Sequence, residues 1–190
     1  MKVIIDTNSL LSLVRYYLPF DSQQVLFEFL KKKIADGEII IIDKVLEQCK
    51  YNAKGLVLEK LHYLTDKEFL KENKIPYHTD SILAPAPSKF LRQVDNQFVN
   101  RILKNKLTET EYEVLKERYM EDADMKLILL CLNLTQGKTE DIYIVTEETE
   151  SSNDNKLFKK IPAICKELTL NTITLPELIK LYTELDFSFN

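Results

Sequence analysis

Acidic residues in this chain stand where apolar runs give way to polar chain. Asp6 closes Val3-Ile4-Ile5-Asp6-Thr7-Asn8, and Glu47 lies in Asp43-Lys44-Val45-Leu46-Glu47-Gln48-Cys49, just past a second apolar run. Asp124 heads an apolar stretch in which it shares a helical face with Ile128 and Cys131, while Glu147 and Glu148 follow Ile142-Tyr143-Ile144-Val145-Thr146. Each acid alone has an ordinary explanation. Asp6 suits a helix cap, and Glu47 suits a solvated acid paired with Lys44 or Lys50. Asp124 suits a first helical turn, and Glu147 and Glu148 suit loop acidity. Taken together, three stand at or beyond strand ends and one heads a helix on its buried side. In a parallel sheet those positions share one rim. Carboxylates crowded there repel one another, and a divalent cation relieves the repulsion. Hard oxygen donors suit Mg²⁺ or Mn²⁺.

Other catalytic material is scarce. The only histidines are His62 and His78, and Cys49, Cys131 and Cys165 form no CxxC pair, so zinc sites and histidine triads lack ligands. Odd, scattered cysteines flanked by apolar residues read as small buried hydrophobes in a reducing compartment, here the cytoplasm. Gly37, Gly55 and Gly137 cannot assemble a glycine-rich phosphate loop.

The elements that must position the acids follow from hydrophobic patterning. Val3 to Ile5, Glu38 to Ile42, Ile142 to Val145 and Thr172 to Thr174 read as strands, the first three near-continuous in Val and Ile. Such runs belong to a sheet covered on both faces. Helical stripes separate them. One holds Val25, Leu26, Phe29, Leu30 and Ile34 with Asp21 as its cap, and another holds Leu178, Leu181, Tyr182 and Leu185 behind Thr174-x-x-Glu177. Thr108-x-x-Glu111 opens a helix, Thr65-x-x-Glu68 opens a minor one, and Asp122 serves as the cap before Asp124. The expected fold is α/β, a three-layer sandwich whose mainly parallel sheet of four to five strands is flanked by helices. One domain is expected over 1–190, with a longer insertion at about 65–105. Three of the six prolines fall between Lys74 and Ser88 and mark its irregular part.

With 190 residues and 45% hydrophobic composition, the chain can build a real core. The longest apolar run, Leu127 to Leu132, is too short for a membrane, and Asp6 leaves no room for a signal-peptide core. A net charge of −4 excludes gripping nucleic acid by overall charge. The distribution is uneven, however. Glu140 to Asp154 carries six acids and no base, while Ser88 to Lys106 carries Lys89, Arg92, Arg101, Lys104 and Lys106 against Asp95 alone. Those five bases could track an RNA strand, and the interspersed Phe90 and Phe98 fit a core better than a stacking platform. Lys31-Lys32-Lys33 complements a helix C-terminus.

These residues resemble the PIN domain, the metal-dependent nuclease family named after the PilT N-terminus. Val3-Ile4-Ile5-Asp6-Thr7-Asn8-Ser9-Leu10-Leu11 is similar to its strand and Asp-Thr-Asn start. Glu47 matches its second acid, Asp124 its third, and Val145-Thr146-Glu147-Glu148 its strand-Thr-x-acid end, with Glu where Asp is usual. The Thr-Glu-Glu form followed by Ile161-Pro162-x-x-Cys165 resembles a PIN-like bacterial branch. The resemblance spans Lys2 to about Leu185. It implies Mg²⁺- or Mn²⁺-dependent hydrolysis of RNA, with Asp6, Glu47, Asp124 and Glu148 as catalytic metal ligands. Thr7, Asn8, Thr146 and Glu147 would support them. It also implies the toxin of a toxin–antitoxin pair, an antitoxin over the acidic rim, and a homodimer. A PIN-like RNA- or protein-binding module with weak catalysis is the alternative. A phosphohydrolase with an Asp nucleophile is disfavoured because Asn8 stands where the usual second Asp would.

Overall fold

Three of the four strands form where the Val and Ile runs are. The computed structural model describes residues 1–137, 140–149 and 156–185. Its strands are β1 (Lys2–Ile5), β2 (Ile39–Ile40), β3 (Ile142–Val145) and β4 (Asn171–Ile173). They form one sheet in the order β2-β1-β3-β4, every neighbouring pair parallel. Val3, Ile4, Ile5, Ile144 and Val145 are all buried, as strands covered on both faces must be.

Eleven α-helical segments surround or cap the sheet among the described residues: α1 (Thr7–Ser12), α2 (Val25–Ala35), α3 (Asp43–Tyr51), α4 (Leu56–Lys60), α5 (Lys67–Glu72), α6 (Pro87–Asn96), α7 (Arg101–Lys104), α8 (Glu109–Met120), α9 (Ala123–Thr135), α10 (Ile161–Leu168) and α11 (Leu175–Leu181). The apolar α9 packs on β1 and β3, α2 packs on β2, and α10 packs on β4 and α9. The architecture is the α/β sandwich expected, with a four-stranded, wholly parallel sheet. Among the described residues no helix is long and apolar enough to cross a membrane.

Several local expectations change. The second strand shortens to two residues because the chain beyond it pairs elsewhere. Tyr77 donates its N–H to the Ile41 carbonyl and accepts from the Asp43 N–H. Asp21 is not the residue that flanks α2; Gln24 holds that place in a left-handed conformation. Buried Asp21 still accepts from the Phe27 N–H at 2.8 Å, so it satisfies that helix end from further back. Asp66, not Thr65, caps α5, accepting from Glu68 and Phe69 amides, while the Thr65 hydroxyl turns to the His62 carbonyl. The capping boxes at Thr108 and Thr174 both form. In the last stripe Leu178 and Tyr182 are buried, but Leu181 is exposed. Lys33 does more than complement a dipole: it pairs with Glu38 and Glu184 and lies over the Phe29 and Tyr182 rings.

The segment of the expected insertion is ordered by its own caps. Asn100 accepts from the Ile102 and Leu103 amides and opens α7. Asn100→Ala removes that acceptor and is expected to cost about 1 kcal/mol, read as a lower urea midpoint at unchanged slope.

Candidate metal centre

Chain order and strand order together say where a site can form. From β1 the chain goes to β2 on one side, then returns to β3 on the other, so the order reverses between β1 and β3. The helices and loops leaving those two strands diverge, and the crevice left at their carboxyl ends is where parallel sheets bind ligands. Asp6 is the residue after β1; Thr146, Glu147 and Glu148 are the residues after β3.

Asp6 stands at the N-cap position of α1, yet its side chain makes no cap hydrogen bond. It is 2% exposed, and the Thr146 hydroxyl donates to its Oδ2 at 3.2 Å. Burial, with the charge of Glu148 adding to it, pushes the Asp6 carboxyl up to about 6; Thr146 and the nearby Thr7 and Asn8 amides offset only part of this. Asp124, half-buried in the first turn of α9, is pushed up to about 7 by burial first, then by Asp6, Glu148 and Asp122. Lys156 works in the opposite direction. The Glu148 charge thus acts on both Asp6 and Asp124, and the Asp6 charge acts on Asp124.

Glu148 is held from two sides: its own N–H donates to the Thr146 hydroxyl, and its Oε2 accepts from the Ile161 N–H at the start of α10. Glu147 turns away and accepts from the Leu175 N–H at the start of α11 at 2.8 Å. Two adjacent acids thus satisfy the first turns of two different helices. Asp122 caps α9 at the Ala123 amide, and the half-buried Tyr119 borders the acids while its ring stacks on Phe158 at 4.0 Å. The Asp124, Asp122 and Glu148 charges add to burial in raising its phenol.

Glu47 behaves differently from the other three. It is exposed on α3, and among the described residues its side chain has neither hydrogen bond nor ion pair, with Lys44 and Lys50 included. Its neighbour Gln48 faces the centre, accepting from the Thr7 hydroxyl at 2.7 Å and donating to Asp122 at 3.4 Å. An alternation of apolar and polar residues along α3 gave no signal that the amide, rather than the acid, is turned inward. Asn8 lines the open side of the crevice with Glu147 and Glu148.

The five bases of the expected track lie on α6, on α7 and just after it. Lys89 lies beside Leu132, Glu167 and Leu168, at the C-terminal ends of α9 and α10. Asp124 sits eight residues back along α9, about 12 Å of helix. Lys104 donates to the Asp95 carbonyl and lies 4.0 Å from the Tyr112 ring centre, and Arg101 donates to the Asn96 carbonyl. Arg92 and Lys106 are exposed. Phe90 and Phe98 are buried against each other, as core residues. Of the acidic stretch, Glu150 and Asp154 lie outside the described residues.

The donor set suits a hard cation. It offers carboxylate oxygens alone, those of Asp6 and Asp124 raised by burial and by neighbouring acids, with no nitrogen or sulfur ligand among the groups shifting them. The oxygens stand apart, as repelling carboxylates do. Only Asp43, His78 and Asp80 place three ligand atoms within 4.8 Å of one another among the described residues. That second group is a loop fastening: Asp43 accepts from the Thr79 amide and hydroxyl and the Lys44 amide, which hold its carboxyl below the usual range despite burial. Cys49, Cys131 and Cys165 are free and buried, their thiols pushed up mainly by burial.

Neither a curated protein nor a solved structure matches the chain. A family model does, over residues 3–184, which takes in the four strands except Lys2 and every residue of the acidic centre; the chain belongs to the family described as Domain of unknown function (DUF4411).

Proposed function

We propose that the protein is a metal-dependent endoribonuclease of PIN type. The single observation that carries this reading is the gathering of Asp6, Asp124 and Glu148, electrostatically coupled, at the crevice where the strand order reverses. A carboxylate cluster this costly in the metal-free state suits a protein that loads a divalent cation. Asp6, Asp124 and Glu148 would hold Mg²⁺ or Mn²⁺. Bound there, the cation supplies charge to stabilise a phosphate undergoing displacement and lowers the pKa of water.

The chain's own residues set the geometry. Thr146 fixes Asp6 through Oδ2, and the Ile161 amide fixes Glu148 through Oε2, so each carboxylate keeps a second oxygen for the ion. Gln48 holds Thr7 beside Asp6, and the Tyr119–Phe158 stack closes the flank next to Asp124 and Glu148. In the cytoplasm, where its three thiols stay reduced, the substrate is RNA. The same reading extends to the toxin of a toxin–antitoxin pair, with an antitoxin over the acidic rim and a homodimer as its assembly.

Gln48 in the inward position, with Glu47 exposed, favours a second reading: a PIN-like module that binds RNA or protein and cuts weakly. Incubation of the pure protein with mixed RNA, in Mn²⁺ or in EDTA, separates the two. Fragments in Mn²⁺ alone are expected. Binding without fragments in either condition would give the module, and neither binding nor fragments would remove both.

A further inference from the structure

The first helix does more than deliver Asp6. Beyond Ser12 the chain widens into a π-helical turn over Leu13–Tyr17, a geometry that recurs at functional sites because it re-aims side chains. Here it sets Arg15 and Tyr16 into a pocket of about 280 Å³ shared with Asn8, Leu11, Ser12, Glu147 and Glu148. The acidic centre forms one wall of this pocket through Glu148. Its size lies just under the roughly 300–1,000 Å³ of small-molecule sites, room for one nucleotide unit.

Among the described residues the side chains of both are uncommitted. Tyr16 is 63% exposed, a large aromatic ring with no ring partner among the described residues. Arg15 is exposed, and its side chain has no ion pair or hydrogen bond among them. The two glutamates opposite are each held by one amide, that of Leu175 or of Ile161, and among the described residues neither is ion-paired with Arg15. A free guanidinium and a free aromatic face, side by side, match a phosphate followed by a base.

We propose that this pocket seats the nucleotide next to the scissile phosphate, with Tyr16 stacking its unpaired base and Arg15 binding its phosphate, and that it selects single strands. The proposal deepens the nuclease reading and rests on it. A base paired in a duplex already stacks on its neighbours and cannot offer its face to Tyr16, so the pocket excludes duplex RNA by geometry. Because stacking is tolerant of base identity, the selection is for strand state more than for sequence.

The test reads binding and cleavage apart. A short fluorescent RNA, single-stranded or annealed to its complement, is titrated with full-length protein in EDTA by anisotropy, and cleavage of the single strand is followed in Mn²⁺. Tyr16→Ala and Arg15→Ala are each expected to raise Kd for the single strand about tenfold. KM should rise in parallel, with kcat nearly unchanged, as for lost uniform binding. Arg15→Ala should also flatten the log Kd against log salt slope by about 0.7, the signature of one released phosphate contact on a single strand. Tyr16→Phe, which keeps the ring, should recover most of the affinity, and the duplex should bind wild type and Tyr16→Ala alike. Tyr51→Ala, on α3 and 76% exposed, is the control and should match wild type. Wild-type affinity and KM in both Tyr16→Ala and Arg15→Ala would overturn the proposal, as would a wild type that binds duplex as tightly as single strand. If the wild type binds but does not cut in Mn²⁺, the nuclease reading fails while the Kd comparison still decides the pocket.

Discussion

Replacing Asp6 with Asn is expected to end Mn²⁺-dependent cleavage and, in EDTA at pH 8, to make the protein harder to unfold. The two effects have one cause. At pH 8 the folded chain must keep a carboxylate charge at a position 2% exposed, against the charge of Glu148. The distance from an ordinary value of 3.8 to about 6 corresponds to about 3 kcal/mol that ionised Asp6 costs the fold. Asn has the same shape, and its carbonyl still accepts from Thr146. The substitution therefore removes the charge without opening a cavity. A gain of about 3 kcal/mol raises Tm by roughly 6–12 °C in a chain of this length. Cleavage should fall at least about a hundredfold, since a lost metal ligand costs more than a lost supporting group. Urea unfolding in EDTA and an RNA-cleavage assay check the two halves. Unchanged cleavage would sink the site assignment, and unchanged stability would sink the electrostatic account of it.

Metal-free stability is expected to be greatest near pH 5 and to fall as pH rises towards 8. Asp6 and Asp124 have folded-state values of about 6 and about 7, both above 3.8. Between about pH 4 and pH 7 the native protein thus binds more protons than the unfolded chain, and raising pH draws it towards unfolding. The stabilisation is complete below the unfolded value and is lost as pH passes through the folded ones. Asp43 and Asp95 have the opposite sign: Thr79 holds the first below its usual range, and Tyr112 and Lys116 hold the second. Their contribution is present above about 4 and lost at lower pH, which gives the acid side of the maximum. Mn²⁺ competes with the same protons, so the rise in Tm on adding it should grow from pH 5 to pH 8. Thermal melts in EDTA and in Mn²⁺ across that range test both statements. A metal-free Tm that climbs from pH 5 to pH 8 would contradict the coupling of the three acids.

How much the chain discloses before folding depends on how local each determinant is. Val3 to Ile5 and Ile142 to Val145 can be read as strands because burial on both faces forces continuous apolar runs, and the residues that end them are then fixed as rim residues. Asp124 is legible because helical periodicity ties it to Ile128 and Cys131. Glu47 and Gln48 are another matter. They stand about 100° apart on α3, and which one faces inward depends on how α3 meets α1, a contact made by Thr7 forty-one residues away in sequence. Tyr16 is hidden for a different reason. Asn8, Leu11, Ser12 and Arg15 keep helical spacing, but the π-turn then shifts the register, so a strict 3.6 period misplaces the residues beyond it. Lys104 reads as a free base until Tyr112, from the next long helix, is placed under it.

The fastening of Glu148 to the Ile161 amide has a consequence in time. Synthesis runs from the N-terminus, so Asp6 leaves the ribosome before Asp124, and Asp124 before Ile161. A nascent fragment ending before α10 carries Asp6 and Asp124 but lacks the amide that fixes Glu148, and one ending before α11 lacks the anchor of Glu147. The acidic centre is thus complete only after the first turns of α10 and α11 have been made and have docked on the two glutamates.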